Sequence, residues 1–148
     1  MKGRQIRLID ELRKNSRQSL TSVSEKTGVP LSTVFKCVGR LHGKGVIVRD
    51  VSLLDFSVLG FPVRIGVFIK ASDKNEVRQF LEEHPNINTL LRLSGDFDFY
   101  AELVFQNMLR YEDFAEELER FDTKSISVHF LEDVKQEEFR ISGVGEDR

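Results

Sequence analysis

Between residues 63 and 134 the apolar residues change spacing in a fixed order, and that order limits what the chain can fold into. In VRIGVFIK, Val63, Ile65, Val67 and Ile69 alternate with other residues, the period of a strand with one buried face. From about Asp73 to Glu83 the spacing becomes helical, with Val77, Phe80 and Leu81 on one stripe. INTLLRL then reads as a second strand. FDFYAELVF reads as a third, with Phe97, Phe99, Ala101, Leu103 and Phe105 on one face. A second helical stripe, Leu109, Phe114, Leu118 and Phe121, spans about Met108 to Phe121, and ISVHFLEDV supplies a last strand.

Strand, helix, strand, strand, helix, strand is the ferredoxin-like split βαβ order. Two helices cover one face of four strands, so the other face should be polar. Phe68, Tyr100, Val104 and Leu131 fall in that second register instead. An apolar sheet face of this kind predicts pairing with a second copy, sheet against sheet.

The N-terminal part has a different grammar. Leu8, Ile9 and Leu12 make a helical stripe over about residues 4–14. Ser19 is placed to cap a second helix with Leu20 and Val23 as its inward contacts, and Gly28 to end it in left-handed backbone. After Val29-Pro30, a third helix buries Val34, Cys37, Val38 and Leu41. HGKG stops it, and VIVRDVSLL is β-branched and extended. Helix, short Gly turn and helix form a helix-turn-helix.

In that geometry the second helix lays its outer side in the DNA major groove. Ser32 and Thr33 lie in its first turn, where hydroxyls and free N–H groups meet phosphate. Lys36 and Arg40 are neighbours four apart, placed to reach base edges or phosphates. Phe35 fits either a thymine methyl or the core. Arg17 and Lys44 extend the basic surface, with Arg13 and Lys14 adding to the field.

Charge supports the division. Residues 1–50 carry eleven Lys/Arg against four Asp/Glu, a balance of +7; residues 51–148 carry eleven against twenty, a balance of −9. A basic first third favours a polyanion. With 40% apolar and 31% charged residues the composition is globular rather than disordered. No apolar run reaches the length of about 18 residues that a spanning helix needs, and no signal segment leads the chain, so no membrane is expected. One cysteine, Cys37, excludes an internal disulfide and points to a reducing cytoplasm; three scattered histidines give no metal-ligand spacing.

Together these readings give an α+β chain in three parts. They are a winged helix-turn-helix over 1–50, a linker strand and junction over 51–62, and a ferredoxin-like βαββαβ domain over 63–148.

SRQSLTSVSEKTGVPLSTVFKCVGRLHGKGVI, LGFPVRIGVFI, LSGDFDFYAELVF and SISVHF, taken together, resemble the leucine-responsive/AsnC class of prokaryotic transcription regulators over nearly the whole chain. The resemblance implies dimers through the C-terminal sheets, often assembled further into octamers, on two-fold symmetric double-stranded DNA. It also implies regulation by a small effector, usually an amino acid. Carried over by position, the effector loop is Gly95, Asp96, Phe97 and Asp98, and a Thr-x-Thr pair of the class becomes Ser125 and Ser127.

A Gly-containing turn can offer N–H groups to a carboxylate, and Asp96 or Asp98 can pair an ammonium; an ordinary tight hairpin explains the same residues. Pro30-Leu31, Phe35, Cys37 and LHGKG depart from the class, so sequence preference on DNA does not transfer. The alternatives are a siroheme-type tetrapyrrole decarboxylase on the same scaffold, with His129 as acid or base, and a DNA-organising protein indifferent to effector. No nucleophile–base pair or metal cluster in the sequence supports an enzyme.

Overall fold

In the computed structural model the described residues are 3–136 and 141, and they form two compact units. The first holds the described residues up to Leu53 together with those from Val134 on; the second is Leu54–Asp133. Of the span expected for the second domain, 63–148, the described residues 63–133 lie in the second unit and 134–136 and 141 in the first. Ile141 returns to the first unit, where its N–H donates to Asp10 Oδ1 at 2.8 Å and its side chain packs on that unit's core.

The first unit is three helices, α1 (Gly3–Lys14), α2 (Leu20–Thr27) and α3 (Leu31–Gly43). Their stripes meet in one core of Leu8, Ile9, Val23, Val29, Val34, Cys37 and Leu41. Ser19 caps α2 by accepting from Ser22 N–H, and Gly28 ends it at φ +67°. Val29, 2% exposed, pins the turn, and Ser24 Oγ donates to its carbonyl at 2.6 Å.

The extended stretch after α3 is not a strand. Residues 46–55 belong to no ladder, and Val48 is 84% exposed. The stretch expected as wing and linker strand therefore joins no sheet among the described residues. β-branched residues favour extended backbone, but a strand needs a partner edge, and this stretch pairs with none among the described residues. Asp55 Oδ1 then receives Ser57 and Val58 N–H, and Gly60 at φ +87° completes a turn.

In the second unit β1 (Val63–Ala71), α4 (Lys74–Glu83), β2 (Ile87–Arg92), β3 (Phe99–Phe105), α5 (Met108–Glu119) and β4 (Thr123–Phe130) follow in the expected order. The sheet runs β2-β3-β1-β4 with antiparallel neighbours. Ile65, Val67 and Ile69 lie beside Leu103, Ala101 and Phe99, under Val77 and Leu81 of α4 and Phe114 and Leu118 of α5. The rings of Phe80 and Phe105 stand 6.0 and 5.9 Å from that of Phe114.

Three details differ from the expectation. β4 begins at Thr123 rather than 126, because its polar first residues are held by pairing with β1, Lys70 opposite Ser125. Leu109 is 64% exposed: it lies five residues before Phe114, about 140° round the helix. Phe97 precedes β3, and its ring stands 5.7 Å from that of Phe68, on the face away from the helices. Alternation assigns a face only while the backbone is extended, and residues 93–98 form a loop with Gly95 at φ +109°.

Candidate nucleic-acid interface and effector face

On α3 the inward stripe of Val34, Cys37 and Leu41 fixes what the outer side presents. Ser32, Lys36 and Arg40, four apart, are all exposed; beside them run Leu31, Phe35 and Gly39, also exposed. Thr33 is half-buried. Phe35 is 69% exposed, which decides against a core role.

Pro30 caps the helix without a side-chain bond: its carbonyl receives Thr33 N–H at 2.8 Å and Val34 N–H at 3.0 Å. The first-turn N–H groups ahead of these have no intrahelical acceptor, and no acid stands in that turn. This helix end therefore carries partial positive charge toward solvent.

The four cations expected at the duplex, Arg17, Lys36, Arg40 and Lys44, are exposed and make no ion pair among the described residues; the same holds for Arg4, Arg7 and Arg49 of the same unit. Lys14 differs from its expected part in the field. Its ammonium bonds Glu11 at 2.7 Å, and Lys26 stands 3.4 Å from the same carboxylate. The Lys14 hydrogen bond, opposed by burial and aided by Lys26, holds the Glu11 carboxyl below its ordinary value. Nothing in the sequence marks Glu11 as buried, since an acid on a helix reads as solvated.

The second candidate lies at one end of the sheet. Asp98 N–H donates to Ile69 C=O, and Leu93 N–H donates to Asp98 C=O, both at 2.8 Å. This fixes the loop beside the end of β1. Asp98 itself is buried and already committed. It receives Ala71 N–H at 3.1 Å and pairs with Lys74 at 2.7 Å and Lys70 at 3.6 Å. The Lys74 bond, against the opposing effect of burial, depresses its carboxyl from the ordinary range. Of the two expected ammonium partners, only Asp96 is exposed and without an ion pair among the described residues.

On the other side of β1, Ser125 pairs with Lys70 and Ser127 with Phe68, so both hydroxyls share the face away from the helices. Phe97, Phe68, Tyr100 and His129 form a continuous aromatic cluster there, with ring centroids 4.9–5.7 Å apart around Phe68. Ser127 Oγ and His129 Nε2 are 2.8 Å apart. Gly66 makes room for this cluster: a Cβ there would stand 2.9 Å from Tyr100 Cε2. The sequence indicated Phe68 and Tyr100 but not the parts of Phe97 and His129. Among the described residues no group of three or more His, Cys, Asp or Glu could hold a metal.

Residues 1–48 match a winged helix-turn-helix DNA-binding domain, and residues 63–138, more than half the chain, match the Lrp/AsnC ligand binding domain. The chain belongs to the Lrp/AsnC family. Its relatives include the glutamate uptake regulatory protein of Zymomonas mobilis, 26% identical over 112 residues, covering 72% of this chain and 68% of the relative. The HTH-type transcriptional regulator FL11 of Pyrococcus furiosus is 27% identical over 117 residues, 78% and 73% of the two chains.

Two solved structures share the fold. LrpC of Bacillus subtilis superposes with a TM-score of 0.83 at 22% identity over 91% of this chain and 99% of its own. A transcriptional regulator of Neisseria meningitidis, solved as an L-Met complex, superposes at 0.82 with 17% identity over 92% and 93%. The Lrp/AsnC chain described here is accordingly a transcription regulator with a DNA-binding and a ligand-binding domain. No helix among the described residues is long and apolar enough to cross a membrane.

Proposed function

We propose that this chain is a sequence-specific cytoplasmic regulator, without enzymatic activity, that binds two-fold symmetric double-stranded DNA as a homodimer or a higher oligomer such as an octamer. Its response is to an amino acid. The observation that carries the reading is the outer side of α3. Ser32, Lys36 and Arg40 stand exposed with Arg17 and Lys44 as further cations unpaired among the described residues, while the neighbouring acid Glu11 is held by Lys14 and Lys26. Cations without acid partners release counterions from a duplex when they meet phosphate. Two such units on one two-fold axis would read half-sites about 34 Å apart.

The effector reading rests on the loop at Gly95, with Asp96 free of ion pairs among the described residues and Ser125 and Ser127 sharing one sheet face. Backbone N–H groups of such a turn suit a carboxylate, and Asp96 suits an ammonium. Asp98 serves as the brace of the loop. Phe97 lies beside Phe68, so it joins the apolar surface of the open face. That surface would pair with a second copy, and an effector near its edge would alter how dimers associate. It can do so only by binding the two assemblies with different affinity.

Selection of duplexes from a random pool by the purified full chain, with and without a mixture of the twenty amino acids, tests the proposal. Enrichment of a two-fold symmetric sequence, with recovery shifted by the mixture, is the expected result. Recovery of unenriched DNA would overturn the DNA part, and enrichment blind to every amino acid would overturn the effector part.

A further inference from the structure

The outer side of α3 carries two parallel stripes, and the polar one explains only half of it. Next to Ser32, Lys36 and Arg40 run Leu31, 46% exposed, Phe35, 69% exposed, and Gly39. Leu31 and Phe35 are one turn apart and form a small apolar ridge. Single exposed apolar residues are ordinary on a protein surface. This pair stands inside a basic field with no acid, on the side opposite the buried stripe of Val34, Cys37 and Leu41. A partner that satisfies Lys36 and Arg40 must be anionic, and one that satisfies Leu31 and Phe35 must also present a small apolar group beside its charges.

The major groove offers such a group. Its base edges are donors and acceptors except for the C5-methyl of thymine. Gly39 adds a separate observation. A glycine inside a helix is about 1 kcal/mol less favourable than alanine. Yet a Cβ at Gly39 would meet no heavy atom within 4 Å, so nothing in the described fold demands the missing side chain. A bare backbone one turn beyond Phe35 lets an external surface come close there.

We propose that Phe35, buttressed by Leu31, reads a thymine methyl in each half-site, and that Gly39 gives the groove wall its clearance. This inference rests on the reading of α3 as the groove-facing helix. It adds a base that the helix selects through an apolar contact, separate from what Lys36 and Arg40 contribute at phosphates or base edges.

The test uses the duplex selected by the wild-type chain and the same duplex synthesised with deoxyuridine in place of thymidine, which deletes only methyl groups. Loss of one methyl contact is expected to weaken wild-type binding about fourfold per half-site. Phe35→Ala should bind the thymidine duplex more weakly and respond to deoxyuridine less than twofold. Its salt slope should stay that of the wild type, because no cation has changed. Phe35→Leu should keep part of the methyl response. Since Phe35 is exposed, unchanged melting temperatures serve as the folding check.

Equal deoxyuridine effects on the wild type and Phe35→Ala, or none on the wild type, would overturn the proposal. So would a Phe35→Ala chain that keeps methyl sensitivity but sediments as a smaller oligomer, which would assign the ridge to a second copy. Failure of the wild type to bind any duplex in a salt-dependent way would instead remove the DNA reading itself, a distinct result.

Discussion

Replacing Lys36 by alanine is expected to change the salt dependence of DNA binding by a countable amount. Arg17, Lys36, Arg40 and Lys44 are exposed and unpaired among the described residues. With these four as the phosphate contacts of each protomer, two protomers on a two-fold site would bring about eight, so log K should fall with log salt at a slope of about −7. Raising salt from about 50 to about 200 mM then weakens binding roughly 10⁴-fold. Lys36→Ala removes two of the eight, giving a slope of about −5.4 and a loss of roughly 10³ over the same range. Lys14 provides the internal comparison, because its ammonium is engaged by Glu11 at 2.7 Å. Lys14→Ala should leave the slope within about 0.5 of the wild type. The assay is fluorescence anisotropy of a labelled, selected duplex across a salt series. Equal slopes for Lys36→Ala and wild type, or a Lys14→Ala slope reduced as far as that of Lys36→Ala, would refute the assignment of which cations meet phosphate.

Other expectations concern the scaffold and the effector face. Phe114, 2% exposed among the rings of Phe80, His84 and Phe105, should cost about 3–5 kcal/mol on replacement by alanine, lowering the second unit's melting temperature by more than about 10 °C. At Gly66 an alanine Cβ would stand 2.9 Å from Tyr100 Cε2 and 3.2 Å from Leu131 Cδ2, so Gly66→Ala should displace the Tyr100 ring. Overpacking of about 1–3 kcal/mol should outweigh the roughly 1 kcal/mol gained from replacing glycine, and calorimetry would show a lower melting temperature. The folded Asp98 carboxyl titrates below its ordinary 3.8 because Lys74 and Ala71 N–H favour its charged form. Its stabilisation is therefore present above that value and lost as pH falls through the lower folded one. Asp98→Asn should flatten this acid limb of the urea midpoint against pH and loosen the loop, seen as faster amide exchange at residues 93–98.

Much of this fold was legible because its signals are local. The Ser19 cap, the Gly28 stop, the α3 stripe and the alternation of β1 each depend on residues within a turn or two of one another. What escaped depends on partners far away in sequence. Thr123, Lys124 and Ser125 become strand by pairing with β1. Residues 46–55 have strand composition but pair with no edge among the described residues. Asp98 looked like a ligand for an ammonium, and Lys70 and Lys74 had already taken that place. Glu11 and Asp10 are buried acids that the helical pattern of α1 leaves unmarked, since Lys26 and Ile141 reach them from other segments. The outer side of α3 was read correctly as exposed because a 13-residue helix with one buried stripe has its other side determined.

The central claim is that residues 31–40 face a duplex. Photocrosslinking with p-benzoylphenylalanine placed at position 36, and in a separate chain at position 79 on the exposed side of α4, tests it most directly. The account predicts crosslinks from position 36 to bases of the selected site, and none from position 79. Crosslinks from position 79 with none from position 36 would contradict it.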